Sequence, residues 1–177
     1  MRIIFTGAQG TGKTTILNYY KDKGYKVITE IVRNLHKDGV KINQEGDDDT
    51  QQQVFNIYKE LLSNNEYISD RGLVDVLAYS KEGRDRGVVS DELVKEQLKE
   101  LREFTAQNPD ILYIYFPIYF AVSGDGVRSI DEEYRKKIDK YIKENMREAN
   151  IKFLIAPNVA PNEKFGAIDW MIQHVGV

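Results

Sequence analysis

Short apolar runs alternate with longer amphipathic stretches along the whole chain. The runs at residues 3–6, 25–29, 67–69, 111–116 and 152–155 are rich in Ile, Tyr, Phe and Val, and continuous rather than alternating. That pattern predicts strands of a sheet covered on both faces. Helical spacing of apolar positions marks residues 13–23, 30–36, 50–64, 73–80, 91–107, 131–148 and 162–174. Thr50 with Gln53 takes capping-box form, Ser90 precedes another start, and Asp131 is followed by two glutamates. Gly24 stands where the first helix should end. Strands separated by helices predict an α/β fold, a three-layer, doubly wound parallel sheet of five strands. With no repeat, low-complexity tract or linker, residues 1–177 are expected to form a single domain.

Residues 38–49, 81–89 and 117–130 break the regular pattern. Each stretch is polar, contains glycine, and is expected at one end of the sheet. Open parallel sheets bind ligands at the carboxyl ends of their strands, so these are the expected substrate loops.

Composition narrows the partners. The 177 residues are 41% hydrophobic and 30% charged, as in a soluble globular domain with a sizeable core. A net charge of −3 argues against a nucleic-acid backbone or an anionic membrane as partner, although a local basic cluster stays open. The absence of cysteine removes disulfides and thiolate metal sites. No apolar stretch has signal-peptide or membrane-spanning length, which leads to the expectation of a cytoplasmic protein. His36 and His174 lack companions at ligand spacing. The acidic stretch at residues 45–50 reads as a solvated helix cap rather than a cation site.

The chemistry begins at residue 7. Gly7-Ala8-Gln9-Gly10-Thr11-Gly12-Lys13-Thr14 fits G-x-x-x-x-G-K-[ST] without a gap. Glycines let the backbone turn tightly and offer its N–H groups to phosphate oxygens, and the next helix adds the positive end of its dipole. Lys13 is expected on the outer phosphates and Thr14 on Mg²⁺. ATP is the expected donor, held by Gly7, Gln9, Gly10, Thr11, Gly12, Lys13, Thr14 and Thr15. No Asn-Lys-x-Asp guanine motif follows a late strand. Where a motor ATPase would carry Asp-Glu, this chain has Asp70-Arg71: a carboxylate for the metal side and a cation for a second anionic partner.

"DRGLVDVLAYS" resembles the thymidylate kinase stretch Asp-Arg-x-x-x-[Ser/Asp]-x-x-Ala-Tyr at Asp70, Arg71, Ala78 and Tyr79, with Gly72 where that family has an aromatic. The chain thus resembles the nucleoside and nucleotide kinases of the P-loop superfamily. "ITEIVRNL" is similar to the second strand end of deoxynucleoside and nicotinamide riboside kinases. "DGVR…D…YR" resembles a group of often phage-encoded kinase-like ATPases. The resemblance implies that Asp70 binds the metal with Thr14 and that Arg71 contacts the acceptor. It also implies Glu30 as the base or hydroxyl-orienting group, with Arg33, Asp75, Tyr79 and Arg84 as further acceptor contacts. A lid at about residues 121–138 would bring Arg128 and Arg135 over the transferring phosphate. Asn158 lies where such kinases contact adenine. Tyr119 and Phe120 offer a base platform, as a minority reading.

The expected activity is ATP- and Mg²⁺-dependent phosphoryl transfer to a small nucleoside or nucleoside monophosphate. Two rivals stand beside it: a kinase acting on a polynucleotide or modified DNA base, and a non-catalytic nucleotide-binding module. A homodimer is left open.

Overall fold

The computed structural model describes residues 1–29, 31, 46–119 and 132–175. Five strands alternate with helices: β1 (Arg2–Thr6), α1 (Lys13–Asp22), β2 (Val27–Ile28), α2 (Asp48–Leu61), β3 (Tyr67–Asp70), α3 (Leu73–Asp85), α4 (Asp91–Gln107), β4 (Leu112–Tyr115), α5 (Glu132–Glu148), β5 (Phe153–Ile155) and α6 (Pro161–Val175). The strands form one sheet in the order β2-β3-β1-β4-β5. Every pairing is parallel, as the continuous apolar runs predict.

Strand alternation divides the core between two faces. Ile3, Phe5, Ile68 and Ile114 pack with Ile16, Leu17 and Tyr20 of α1 and Ile168 of α6. Ile4, Tyr67, Tyr113 and Tyr115 point the other way, into a larger cluster with α2, α3, α4 and α5. The central strand β1 pairs with β3 on one side and β4 on the other, aligning Phe5 with Asp70 and Thr6 with Tyr115. The chain therefore leaves β1 at the point where strand order diverges, and the crevice between neighbouring connections opens there.

Several helix boundaries differ from the expectation, two of them with a visible cause. α2 begins at Asp48 rather than Thr50, because the Asp47 carboxylate accepts from the Thr50 amide at 3.0 Å and supplies the cap itself. α3 continues to Asp85, absorbing half of the loop expected at residues 81–89. Lys81 and Glu82 are buried there with partners: Lys81 pairs with Glu148 at 3.2 Å, and Glu82 accepts from Arg86 at 2.8 Å. Gly83 allows the turn after the helix to close in, since a Cβ there would meet Val89 Cγ2 at 2.6 Å. Ser90 caps α4 through the Leu93 amide at 3.1 Å, and Gly24 ends α1 with φ +86°, both as expected.

Candidate active site

The turn after β1 is built by residues that other side chains would not replace. Gly7 has φ +142°, and a Cβ on it would meet the Phe116 carbonyl oxygen at 2.5 Å. Gly12 begins α1 in the left-handed region at φ +89°. Between them the chain folds around the Lys13 ammonium, which donates to the carbonyls of Gly7 and Ala8 at 2.7 Å each and to Thr11 Oγ1 at 3.1 Å. Lys13 is only 4% exposed. Burial, and then the nearby Arg71 charge, pull its pKa down to about 7.

The end of β3 meets this turn. Thr14 donates from Oγ1 to Asp70 Oδ2 at 3.1 Å. Asp70 Oδ1 is buried and has no hydrogen-bond partner among the described residues. The Tyr58 hydroxyl donates to the Asp70 carbonyl at 3.1 Å and holds the strand end in place. An orphaned carboxylate oxygen beside a hydroxyl oxygen at a helix start is a hard-oxygen donor set that suits Mg²⁺, which takes few protein ligands and completes its shell with phosphates and water. No cluster of three or more acidic or histidine ligands occurs among the described residues.

Arg71 follows with φ +79°, a conformation that a non-glycine residue holds only under constraint. The Phe5 carbonyl accepts from its amide at 2.9 Å, and Ser69 Oγ donates to its carbonyl at 2.7 Å. The guanidinium donates to the Gly7 carbonyl at 3.4 Å, pairs with Asp75 at 3.7 Å, and lies 5.4 Å from the Tyr79 ring centroid. Asp75 is fully buried and accepts from the amides of Gly7 at 3.3 Å and Gly72 at 3.0 Å. Burial raises its pKa, and Arg71, Lys13 and the two amides oppose that rise. The Tyr79 hydroxyl donates to Gln9 Oε1 at 3.2 Å.

Arg135 enters from α5. Its Nε donates to the Gln9 carbonyl at 2.8 Å and its Nη2 to the Gly10 carbonyl at 3.3 Å, while Nη1 pairs with Glu132 at 3.2 Å. With its side chain 1% exposed, it braces the turn from within rather than reaching in from solvent. Lys13, Thr14, Asp70, Arg71, Asp75, Tyr79 and Arg135 are thus brought together with Gly7, Gln9, Gly10 and Gly12. Thr15 is exposed as the third residue of α1, and Asn158 is exposed beyond β5. Arg84 is not part of this group: it pairs with Asp85 at 3.3 Å and Asp91 at 3.6 Å, about 16 Å farther along α3 than Leu73 at the helical rise. Glu30, Arg33, Phe120 and Arg128 lie outside the described residues, as do residues 121–131 of the expected lid. Tyr119 donates from its hydroxyl to the Ala156 carbonyl at 2.8 Å. The brace from Tyr58 is one the sequence reading missed, since nothing local marks a tyrosine in the middle of α2.

The sequence profile of a family described as an AAA domain matches residues 2–164. The chain belongs to that AAA domain family. Solved structures share its fold closely. Deoxyadenosine kinase from M. mycoides, with products dCMP and dCDP bound, superposes with a TM-score of 0.68 at 20% identity, covering 99% of this chain and 100% of that one. The NadR protein in complex with NR gives 0.66 at 18% identity, covering 99% of this chain and 50% of that one, so this chain spans about half the length of NadR. Thymidylate kinase from Ehrlichia chaffeensis gives 0.54 at 17% identity, with 98% of each chain covered. These likenesses identify a P-loop fold of the nucleoside and nucleotide kinase type. No curated protein matches the AAA domain chain by sequence. No helix among its described residues is long and apolar enough to cross a membrane.

Proposed function

We propose that this protein catalyses ATP- and Mg²⁺-dependent phosphoryl transfer to a small nucleoside or nucleoside monophosphate. One observation carries the reading: Thr14 and Asp70 meet at 3.1 Å, with Arg71 next in sequence and its guanidinium donating to the Gly7 carbonyl of the same turn. Phosphoryl transfer asks little covalent chemistry of the protein and much positioning of charge. The amides of residues 7–14 and the start of α1 cradle the donor phosphates, and Lys13 turns from its carbonyls to the outer phosphate oxygens. Thr14 and Asp70 hold Mg²⁺, which when bound neutralises charge on the donor's phosphates. Arg71 orients the acceptor. Glu30 faces its hydroxyl, and Arg128 closes over the transferring group, as the family resemblance implies. Arg135 fixes the shape of the cradle through the Gln9 and Gly10 carbonyls.

A coupled ADP-release assay over a panel of nucleosides and their 5′-monophosphates tests this. The expected result is Mg²⁺-dependent ADP release accelerated by a subset of the panel and abolished in Lys13→Ala. Tight ATP binding with no acceptor-stimulated turnover would favour the non-catalytic rival.

A further inference from the structure

We propose that the hydroxyls of Tyr58 and Ser69 are positioning groups that lock the Asp70 carboxylate and the Arg71 guanidinium in one fixed relation. The metal and acceptor roles of those two residues come from the phosphotransferase reading above, on which the proposal rests. The peptide joining Asp70 to Arg71 is trans, so its carbonyl and its N–H point to opposite sides. On one side the Arg71 amide donates to the Phe5 carbonyl of β1 at 2.9 Å. On the other, the β2–β3 register ends with Ile28 opposite Ser69, one residue short of Asp70. There the Tyr58 hydroxyl donates to the Asp70 carbonyl at 3.1 Å. Beyond the peptide, Ser69 Oγ donates to the Arg71 carbonyl at 2.7 Å.

This strand exit needs such a hold. Arg71 keeps φ +79° without the freedom of a glycine. The torsions on either side of the Asp70–Arg71 peptide, ψ of Asp70 and φ of Arg71, decide how the two side chains stand relative to each other. Pinning the carbonyl, the amide and the next carbonyl fixes those torsions against the relaxation that the strain at Arg71 favours. Without the Tyr58 hydroxyl, the plane is free to rotate and let Arg71 settle toward negative φ. The metal-side oxygen and the acceptor-side cation would then lose their common frame.

Tyr58 is itself well placed to pin. It is 2% exposed, and burial raises its pKa, so the hydroxyl keeps the proton that it donates. Its helix α2 is tied to α4 on three sides: Lys59 to Glu100 at 2.6 Å, Asp48 to the Ser90 amide at 2.7 Å, and the Gln51 carbonyl to Gln97 at 3.4 Å. The pin therefore has a rigid mount.

Tyr58→Phe removes one oxygen and keeps the ring. Affinity for a fluorescent ATP analogue, titrated with and without Mg²⁺, is compared with the wild type, and acceptor KM is measured over deoxynucleosides and their 5′-monophosphates. Metal-free nucleotide affinity should stay within about twofold, while the Mg²⁺ needed for half-saturation of binding rises about 3–10-fold and acceptor KM rises similarly. Ser69→Ala should move the same two quantities in the same direction, and it decides alone if Tyr58→Phe does not fold. A lower unfolding midpoint with an unchanged Mg²⁺ requirement overturns the proposal, because the hydroxyls would then be structural only. So does an equal loss of metal-free affinity, or a shift in one quantity without the other. If no acceptor is phosphorylated, the phosphotransferase reading falls, and the Mg²⁺ dependence of nucleotide binding still decides whether the two hydroxyls position Asp70.

Discussion

The Thr14 hydroxyl and the Asp70 carboxylate, 56 residues apart in sequence, share a hydrogen bond of 3.1 Å. That bond joins the first turn of the phosphate-loop helix to the end of a neighbouring strand. Because β1 and β3 are hydrogen-bonded in register, with Phe5 opposite Asp70, the sheet itself sets the spacing. Thr14→Ala and Asp70→Asn should each raise the Mg²⁺ concentration for half-maximal turnover by about 10–100-fold. The double variant should cost less than the sum, since both singles break the same bond. A Mg²⁺ titration at fixed ATP reads both outcomes.

Arg135 distinguishes a brace from a closing lid. Removing a buried guanidinium that serves two backbone carbonyls should cost about 2–3 kcal/mol of stability as well as ATP affinity. A residue that acted only on closure would leave unfolding unchanged. Denaturant unfolding of Arg135→Ala beside ATP binding makes the comparison.

Gly7 and Gly12 both lie at positive φ, yet they should respond differently to alanine. At Gly12 nothing lies within 4 Å of an added Cβ, so the cost is backbone strain of about 1–2 kcal/mol. At Gly7 the added atom would strike the Phe116 carbonyl oxygen, so Gly7→Ala should lose about 3 kcal/mol or more. Thermal and chemical unfolding of the pair measure the difference.

Lys13 gives the ligand-free protein a pH signature. Its pKa is about 7 when folded against 10.5 in an ordinary lysine. Between those values the unfolded chain holds a proton that the folded one has released, so stability rises with pH and is lost as pH falls through about 7. Above the ordinary tyrosine value of 10 the sign reverses. Tyr67, whose pKa burial raises to about 12, keeps its proton folded and loses it unfolded. Tyr58 and Tyr20 shift in the same direction, chiefly through burial. Stability should therefore peak at about pH 9–10, and Lys13→Met should flatten the rising limb while sparing the fall. Chemical denaturation across that range checks both limbs.

Much of the frame was readable in the chain because apolar runs and helix starts are local signals. All five strands lie within or one residue beyond their expected ranges, and α4 spans Asp91–Gln107 as expected. The phosphate loop was readable for the same reason, being a contiguous motif. Legibility failed where a long-range partner decides. α3 runs past Ser80 because Lys81 finds Glu148 on α5, 67 residues away. Asp75 was expected to touch the acceptor, and its burial between two backbone amides and Arg71 depends on how the loop and α3 meet. Arg135 was singled out by resemblance as a lid arginine, but its contacts with the Gln9 and Gly10 carbonyls depend on how α5 packs against the loop, which no local pattern in a helix of alternating charges encodes.

The last helix meets the first through Ile168 in the shared core and through one carboxylate that gathers three polar groups. Asp169 on α6 accepts from the hydroxyls of Tyr19 and Tyr20 of α1 at 2.9 and 2.6 Å and from Lys23, just past the end of α1, at 3.2 Å. α6 is in effect a splint strapped along the element whose opposite end cradles phosphate. Shortening the protein ahead of Asp169, or fusing a bulky partner that pulls α6 away, would untie the strap. The nucleotide cradle would then lose its rigidity from behind, with every residue that touches the ligand still intact.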